Sequence, residues 1–184
     1  MNICIIGDGL TSLSLANNLI NKKINVHNFY IKKKINLSLN RTIGISKNNL
    51  EFYKEEILDI KKKNIWKIKQ IEIYSDKLKN NKILNFEMNK DNILFIVKNS
   101  KLYKSLIKKL SKSKFFKKKI IKNNTFYQKL LRENKYDLII NCDPKNFISK
   151  KYFSKTINKT YDSSAYTTIL QHKVLKNNTA IQIF

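Results

Sequence analysis

Two of the chain's three glycines stand together as Gly7-Asp8-Gly9, directly after the apolar run Asn2-Ile3-Cys4-Ile5-Ile6 and directly before the segment Leu10–Asn21. The run reads as a buried β-strand. The segment reads as a helix with Leu13, Ala16, Leu19 and Ile20 on one face. In a chain so poor in glycine, this placement marks a junction where the backbone must turn tightly or be approached closely. Strand, Gly-x-Gly, helix is the opening of a βαβ unit of the dinucleotide-binding kind. The first glycine allows the turn and the second lets main chain approach a pyrophosphate. The helix N-terminus then offers free N–H groups and the positive end of its dipole. Ser12 holds the third position of the motif, where a small residue permits close helix–strand packing. A tight turn in an α/β domain without a ligand has the same local pattern.

A chain of 184 residues with 42% apolar content builds one domain, or one domain and part of another. Its formal charge of +25 suggests nucleic acid or an anionic membrane as a partner. Three features argue against specific nucleic-acid recognition. Arg41 and Arg132 are the only arginines, whereas phosphate and base recognition favours the bidentate guanidinium. The lysines are spread along the chain. The wealth of Asn, Lys and Ile, with little Gly, Pro or Arg, resembles a drift imposed by an AT-rich genome. Peripheral association with a membrane remains open, and attraction to polyanions is expected to be salt-sensitive. Cys4 and Cys142 lie in apolar strand-like contexts and in no metal-ligand or redox spacing, so both read as buried, reduced and structural. No metal site is expected. The first strand begins at once, without a signal peptide, and no apolar run reaches membrane-spanning length, so a cytoplasmic location is the default.

Further along, Ile24–Tyr30 is the strand to which a βαβ crossover returns. An acidic residue usually ends this strand and holds the ribose hydroxyls; here Tyr30 occupies that place, positioned to stack on adenine or to offer its hydroxyl. Lys32–Asn40 is a polar loop, and Arg41–Ser46 a short β-like stretch. Asn48–Ile60 reads as a helix with Leu50, Tyr53, Ile57 and Ile60 inward. Ile65–Ser75 and Lys82–Met88 read as strands split by a turn at Lys79-Asn80-Asn81, and Ile93–Val97 as another strand. Ser100 is a plausible N-cap for the helix Lys101–Leu110. The lysine-rich Lys114–Lys122 reads as a solvated charge run, and Thr125–Asn134 as a short helix. Tyr136–Asp143 reads as a central parallel strand with functional residues at its C-terminal end. Ala165–Leu170 and Thr179–Phe184 read as two last strands. The chain stops within the second of these, as a fragment does. His27 and His172 have no nucleophile motif beside them, and no catalytic side chain is singled out.

Taken in order, these pieces resemble the N-terminal half of flavin-dependent aromatic hydroxylases of the para-hydroxybenzoate hydroxylase type, most closely the branch acting on ubiquinone precursors. Ile5–Ser12 matches the FAD pyrophosphate turn. Arg41-Thr42-Ile43-Gly44-Ile45-Ser46 resembles the family's Arg-Thr-Ile-Ala-Leu-Ser segment, whose arginine lies near the flavin. Val97–Leu102 resembles its Val-Glu-Asn-Arg stretch, and Tyr136–Asp143 the strand leading into its Asp-Gly motif. The departures are Tyr30 for the ribose-binding acid, Ser100 for an arginine, Pro144 for the glycine of Asp-Gly, and Phe147 and Lys150 for the serine and arginine that follow. The chain also ends before the family's Gly-Asp-Ala segment, which points to a truncated product or a degenerate relative.

The resemblance implies an α/β fold: an FAD-binding Rossmann-like domain with a mostly parallel sheet (1–66 and 98–150) and incomplete strands of a β-rich substrate domain (67–97 and 151–184). It implies FAD as cofactor, NAD(P)H as its reductant, and monooxygenation of an aromatic or quinone-precursor small molecule in ubiquinone biosynthesis, with the flavin doing the difficult chemistry. Gly7, Gly9 and Ser12 then meet the pyrophosphate, Arg41 lies near flavin or phosphates, Asp143 lies near pyrophosphate or ribityl, and Tyr30 lies at the ribose. Two other readings stand beside this one: a non-enzymatic remnant of a dinucleotide fold, and a basic polyanion-binding protein.

Overall fold

Both faces of the first strand are buried, which is why its sequence is an unbroken apolar run rather than an alternation. Ile3 and Ile5 join one core cluster with Leu13, Ala16, Val26 and Leu106; Cys4 and Ile6 join a second with Phe29, Ile121, Tyr127 and Leu130. The computed structural model describes residues 1–31, 41–75, 81–88, 91–153, 159–163 and 178–183. Its elements in the N-terminal part are β1 (Asn2–Ile6), α1 (Leu10–Asn21), β2 (Asn25–Tyr30), β3 (Thr42–Ile45) and α2 (Lys47–Phe52). The middle holds β4 (Ile65–Ile68), β5 (Gln70–Ser75), β6 (Asn81–Glu87), β7 (Leu94–Lys98) and α3 (Asn99–Leu110). Then follow β8 (Phe116–Ile120), α4 (Thr125–Arg132), β9 (Leu138–Asn141), α5 (Phe147–Tyr152) and β10 (Thr179–Ile183).

The principal sheet has the order β8-β2-β1-β9, every neighbouring pair parallel. Buried side chains of α1 and α3 cover one face; those of α4 and α5 cover the other. Two three-stranded sheets complete the described structure: β3-β7-β4, antiparallel throughout, and β10-β5-β6, in which β5 runs antiparallel to β6 and parallel to β10. The fold is thus mixed α/β with a parallel nucleotide-type sheet and additional β-structure, as the sequence predicts.

Several expectations need correction. The pattern Ile65–Ser75 predicts one strand, but the chain breaks at Lys69, whose N–H donates to the Asn178 carbonyl (2.8 Å), and β4 and β5 enter different sheets. The lysine-rich segment is not a solvated run between elements. It contains β8, an edge strand on β2, anchored by half-buried Phe116 and followed by buried Ile121. Lysines are what an exposed strand edge tolerates. Ser100 does not cap α3; the helix starts at Asn99, and Ser100 is buried in its first turn behind Lys98. The helix predicted at Asn48–Ile60 is α2 followed by a wider π-turn, Tyr53–Ile57, whose Glu56 carbonyl accepts from Asn21 Nδ2 at 2.7 Å. β9 is apolar without being central: among the described residues its one strand neighbour is β1, and Leu138 is 45% exposed. Its apolar character serves the two faces, Ile139 packing on one cluster and Ile140 on the other. Cys4 and Cys142 lie on adjacent parallel strand paths as free thiols, and the Cys142 N–H donates to the Ile6 carbonyl at 2.8 Å. The predicted loop at Lys32–Asn40, the Lys79-Asn80 part of the turn, the strand Ala165–Leu170 and His172 lie outside the described residues.

Candidate functional site

The corner between β1 and α1 needs its two glycines for different reasons. Gly7 adopts φ +118°, a conformation side chains rarely take, and a Cβ there would meet the Cys142 carbonyl carbon at 3.3 Å. Its glycine is required by the fold. Gly9 has an extended backbone (φ −75°, ψ 177°), and a Cβ there would meet nothing within 4 Å. Among the described residues nothing demands glycine at that position, so the bare space lies open to an incoming group. Gly9 is also the N-cap of α1, and no side chain caps the helix. The orphan N–H groups of the first turn therefore face that opening. Ser12 is buried, and its Oγ donates to the Gly9 carbonyl at 2.8 Å, so it shapes the corner from behind. Buried Asn28 on β2 braces the other side, donating from Nδ2 to the Gly7 carbonyl at 2.6 Å, while the Gly7 N–H donates to the Phe29 carbonyl at 2.8 Å.

A cavity of about 260 Å³ opens at this corner, at the C-terminal ends of β1, β2 and β9. In open parallel sheets, that crevice is where ligands bind. Gly7, Gly9, Tyr30 and Asp143 all line it, so four of the six predicted site residues come together; Asp8, Ile121 and Tyr127 join them. Asp143 turns the chain after β9: its Oδ1 accepts from the Lys145 N–H at 3.0 Å, and its carbonyl accepts from Ser149 Oγ at 2.7 Å. Tyr127 is 1% exposed, yet among the described residues its hydroxyl has no hydrogen-bond partner. Burial, and secondarily the Asp143 carboxylate, raises its pKa. Lys118 on β8 does not line the cavity but stands beside Tyr30, which does. Its ammonium stands 4.1 Å from the Tyr30 ring centroid, and desolvation lowers its pKa against the opposing pull of Asp8.

Ser12 and Arg41 are not brought to the cavity wall. Arg41 is exposed ahead of β3, its carbonyl accepting from the Asn99 N–H at 3.0 Å. Sequence reasoning missed Asn28, Lys118, Ile121 and Tyr127. An asparagine inside an apolar strand was the available signal for the first; the others depend on β8 pairing with β2, which the lysine content concealed. A larger groove of about 720 Å³ lies beyond β9 between Leu131, Ile148 and Phe153, but its polar side chains are engaged with each other, Asn141 Nδ2 donating to Ser149 Oγ at 2.7 Å. Among the described residues no cluster of three or more His, Cys, Asp or Glu comes together, and no helix is long and apolar enough to cross a membrane.

No family model matches the chain, and no curated protein matches it in sequence. Solved structures match it in fold. PqsL, a probable FAD-dependent monooxygenase from Pseudomonas aeruginosa, superposes with a TM-score of 0.63 at 11% identity, covering 88% of this chain and 48% of PqsL. The p-nitrophenol 4-monooxygenase PnpA from Pseudomonas putida DLL-E4 gives 0.55 at 12% identity, covering 64% of this chain and 31% of its own. CtdE, solved in complex with FAD, gives 0.50 at 13% identity over 67% and 30%. The chain therefore spans about half the length of PqsL and about a third of the other two. It shares its fold with the corresponding parts of these three structures.

Proposed function

We propose that this chain binds FAD through the ADP portion of the cofactor and forms the cofactor-holding part of a monooxygenase acting on an aromatic or quinone-precursor molecule, in ubiquinone biosynthesis. The observation that carries the reading is the corner itself: an N-cap glycine with open space where its side chain would be, at the mouth of a crevice at the C-terminal ends of β1, β2 and β9. In this reading residues 1–66 and 98–150 form the FAD-binding domain, and 67–97 and 151–184 belong to the substrate domain. The protein works in the cytoplasm.

Each residue then has a task. Gly7 makes the turn, and Gly9 lets the pyrophosphate approach main-chain N–H groups at the start of α1, whose dipole favours the anion. Ser12 and Asn28 hold that corner in shape. Tyr30 lies at the ribose, Asp143 beside pyrophosphate or ribityl, and Arg41 near the flavin. Bound FAD, reduced by NAD(P)H, supplies the oxygen activation needed to hydroxylate an aromatic ring. The protein's part is to position the ring and exclude water.

Equilibrium dialysis of the purified chain against FAD tests the reading. Retained flavin, lost in Gly9→Asp, is the expected result; no retention by the folded chain overturns it. Tyr30 in place of an acid favours a second reading, a nucleotide-binding fold without catalysis. NAD(P)H oxidation by the flavin-loaded protein separates the two.

A further inference from the structure

The end of β2 lacks the carboxylate that accepts hydrogen bonds from ribose hydroxyls, and the neighbouring strand supplies a cation instead. In the β2–β8 register Lys118 pairs with Asn28, and Ile120 pairs with Tyr30, so Lys118 and Tyr30 stand on one face of the sheet. Lys117 and Lys119 stand on the other. The Lys118 ammonium lies 4.1 Å from the Tyr30 ring centroid, and Tyr30 lines the cavity. Asp8 at the glycine corner is the carboxylate whose charge acts on this ammonium, opposing the desolvation that lowers its pKa.

The chemistry of such a pair is opposite to that of an acid. A carboxylate accepts from a free 2′-hydroxyl and repels a phosphate on that oxygen. A lysine ammonium donates to phosphate oxygens in charge-assisted hydrogen bonds, and a nearby cation is what accommodates a ribose 2′-phosphate in dinucleotide folds. The aromatic ring fixes the ammonium without neutralising it.

We propose that Tyr30 and Lys118 form a charge-inverted ribose site, which favours an adenine nucleotide carrying a phosphate on its ribose over one with free ribose hydroxyls. The proposal rests on the nucleotide reading of the cavity and deepens it. FAD, whose ribose hydroxyls are free, is then held chiefly at the glycine corner.

Isothermal titration of the purified chain with 5′-AMP and adenosine 2′,5′-bisphosphate tests this. The bisphosphate is expected to bind about ten-fold more tightly, the gain of one charge-assisted hydrogen bond. Lys118→Gln should bring the two affinities together, and Lys118→Arg should restore the difference. Lys117→Gln, which removes the same charge from the opposite face of β8, should keep it. Equal affinities in the wild type overturn the proposal and leave the nucleotide site standing. A preference that survives Lys118→Gln, or that Lys117→Gln abolishes as well, reports bulk charge and overturns it too. Failure of either compound to bind overturns the nucleotide reading, and the proposal with it.

Discussion

Gly7 and Gly9 sit two residues apart and answer to different constraints, so substitution separates folding from binding. Alanine at Gly7 must hold φ near +118° with its Cβ against the Cys142 backbone, and Gly7→Ala should lose about 1–3 kcal/mol of stability, read by urea unfolding. Gly9→Asp places a good N-cap residue where space is free. Its stability should stay level or rise by a few tenths of a kcal/mol while nucleotide binding disappears. Tyr127 gives the complementary case. Its buried hydroxyl has no partner among the described residues, so Tyr127→Phe should be neutral or stabilising by up to about 1 kcal/mol, read by urea unfolding. Cys4 responds to pH. Burial pushes its thiol up to about 12 from an ordinary 9.0, so the unfolded chain releases the proton first and stability falls as pH rises through that window. Comparing wild type with Cys4→Ala isolates this group. The wild-type advantage should shrink by about 1 kcal/mol between pH 8 and pH 10.

At the scale of elements, what the sequence reveals depends on whether a segment's pattern is set by its own neighbours or by distant ones. β1, α1 and β2 were legible almost to the residue because burial on both strand faces and one helical face writes itself into the order of apolar residues. The glycine corner was legible for the same local reason. β8 was not, because an edge strand displays its lysines to solvent, and its identity comes from pairing with β2, ninety positions earlier by the Val26–Phe116 register. Lys118 was hidden with it, and Tyr127 likewise, since a cavity wall assembled from the ends of β1, β2 and β9, from Ile121 and from Tyr127 on α4 has no signature in any one segment. The division at Lys69 was hidden likewise, fixed by a carbonyl at Asn178. The α1–α3 layer is the element pair that holds the corner in place. Leu106 is fully buried between them, and buried Asn17 bridges them by donating to the Leu106 carbonyl at 3.3 Å. Leu106→Ala should cost about 2–5 kcal/mol in urea unfolding. An effect under 1 kcal/mol would mean that the layer is looser than its packing indicates.

For the molecule as a whole, charge acts on stability and on binding with opposite signs. A net charge of +25 over 184 residues destabilises the compact state by self-repulsion. Of the four ion pairs found among the described residues, three do little to offset it, and Lys82–Glu72 has the one carboxylate that is partly buried. Lys22–Glu56, Lys47–Asp91 and Lys129–Glu133 are exposed, and such pairs contribute about 0–1 kcal/mol each. Added salt screens both effects, but repulsion among many lysines outweighs a few surface attractions. Raising sodium chloride from about 50 to 500 mM, which shortens the screening length several-fold, should therefore raise the melting temperature by a few degrees. The same change should weaken any bound polyanion steeply, with a log–log slope that counts the phosphates neutralised. In the proposed site an adenine nucleotide would engage main-chain N–H groups and one lysine, so its affinity should fall with a slope near one. A melting temperature that falls with salt would place the surface pairs above the repulsion. A nucleotide slope as steep as that for single-stranded nucleic acid would mean that diffuse lysine charge, and not the corner between β1 and α1, does the binding.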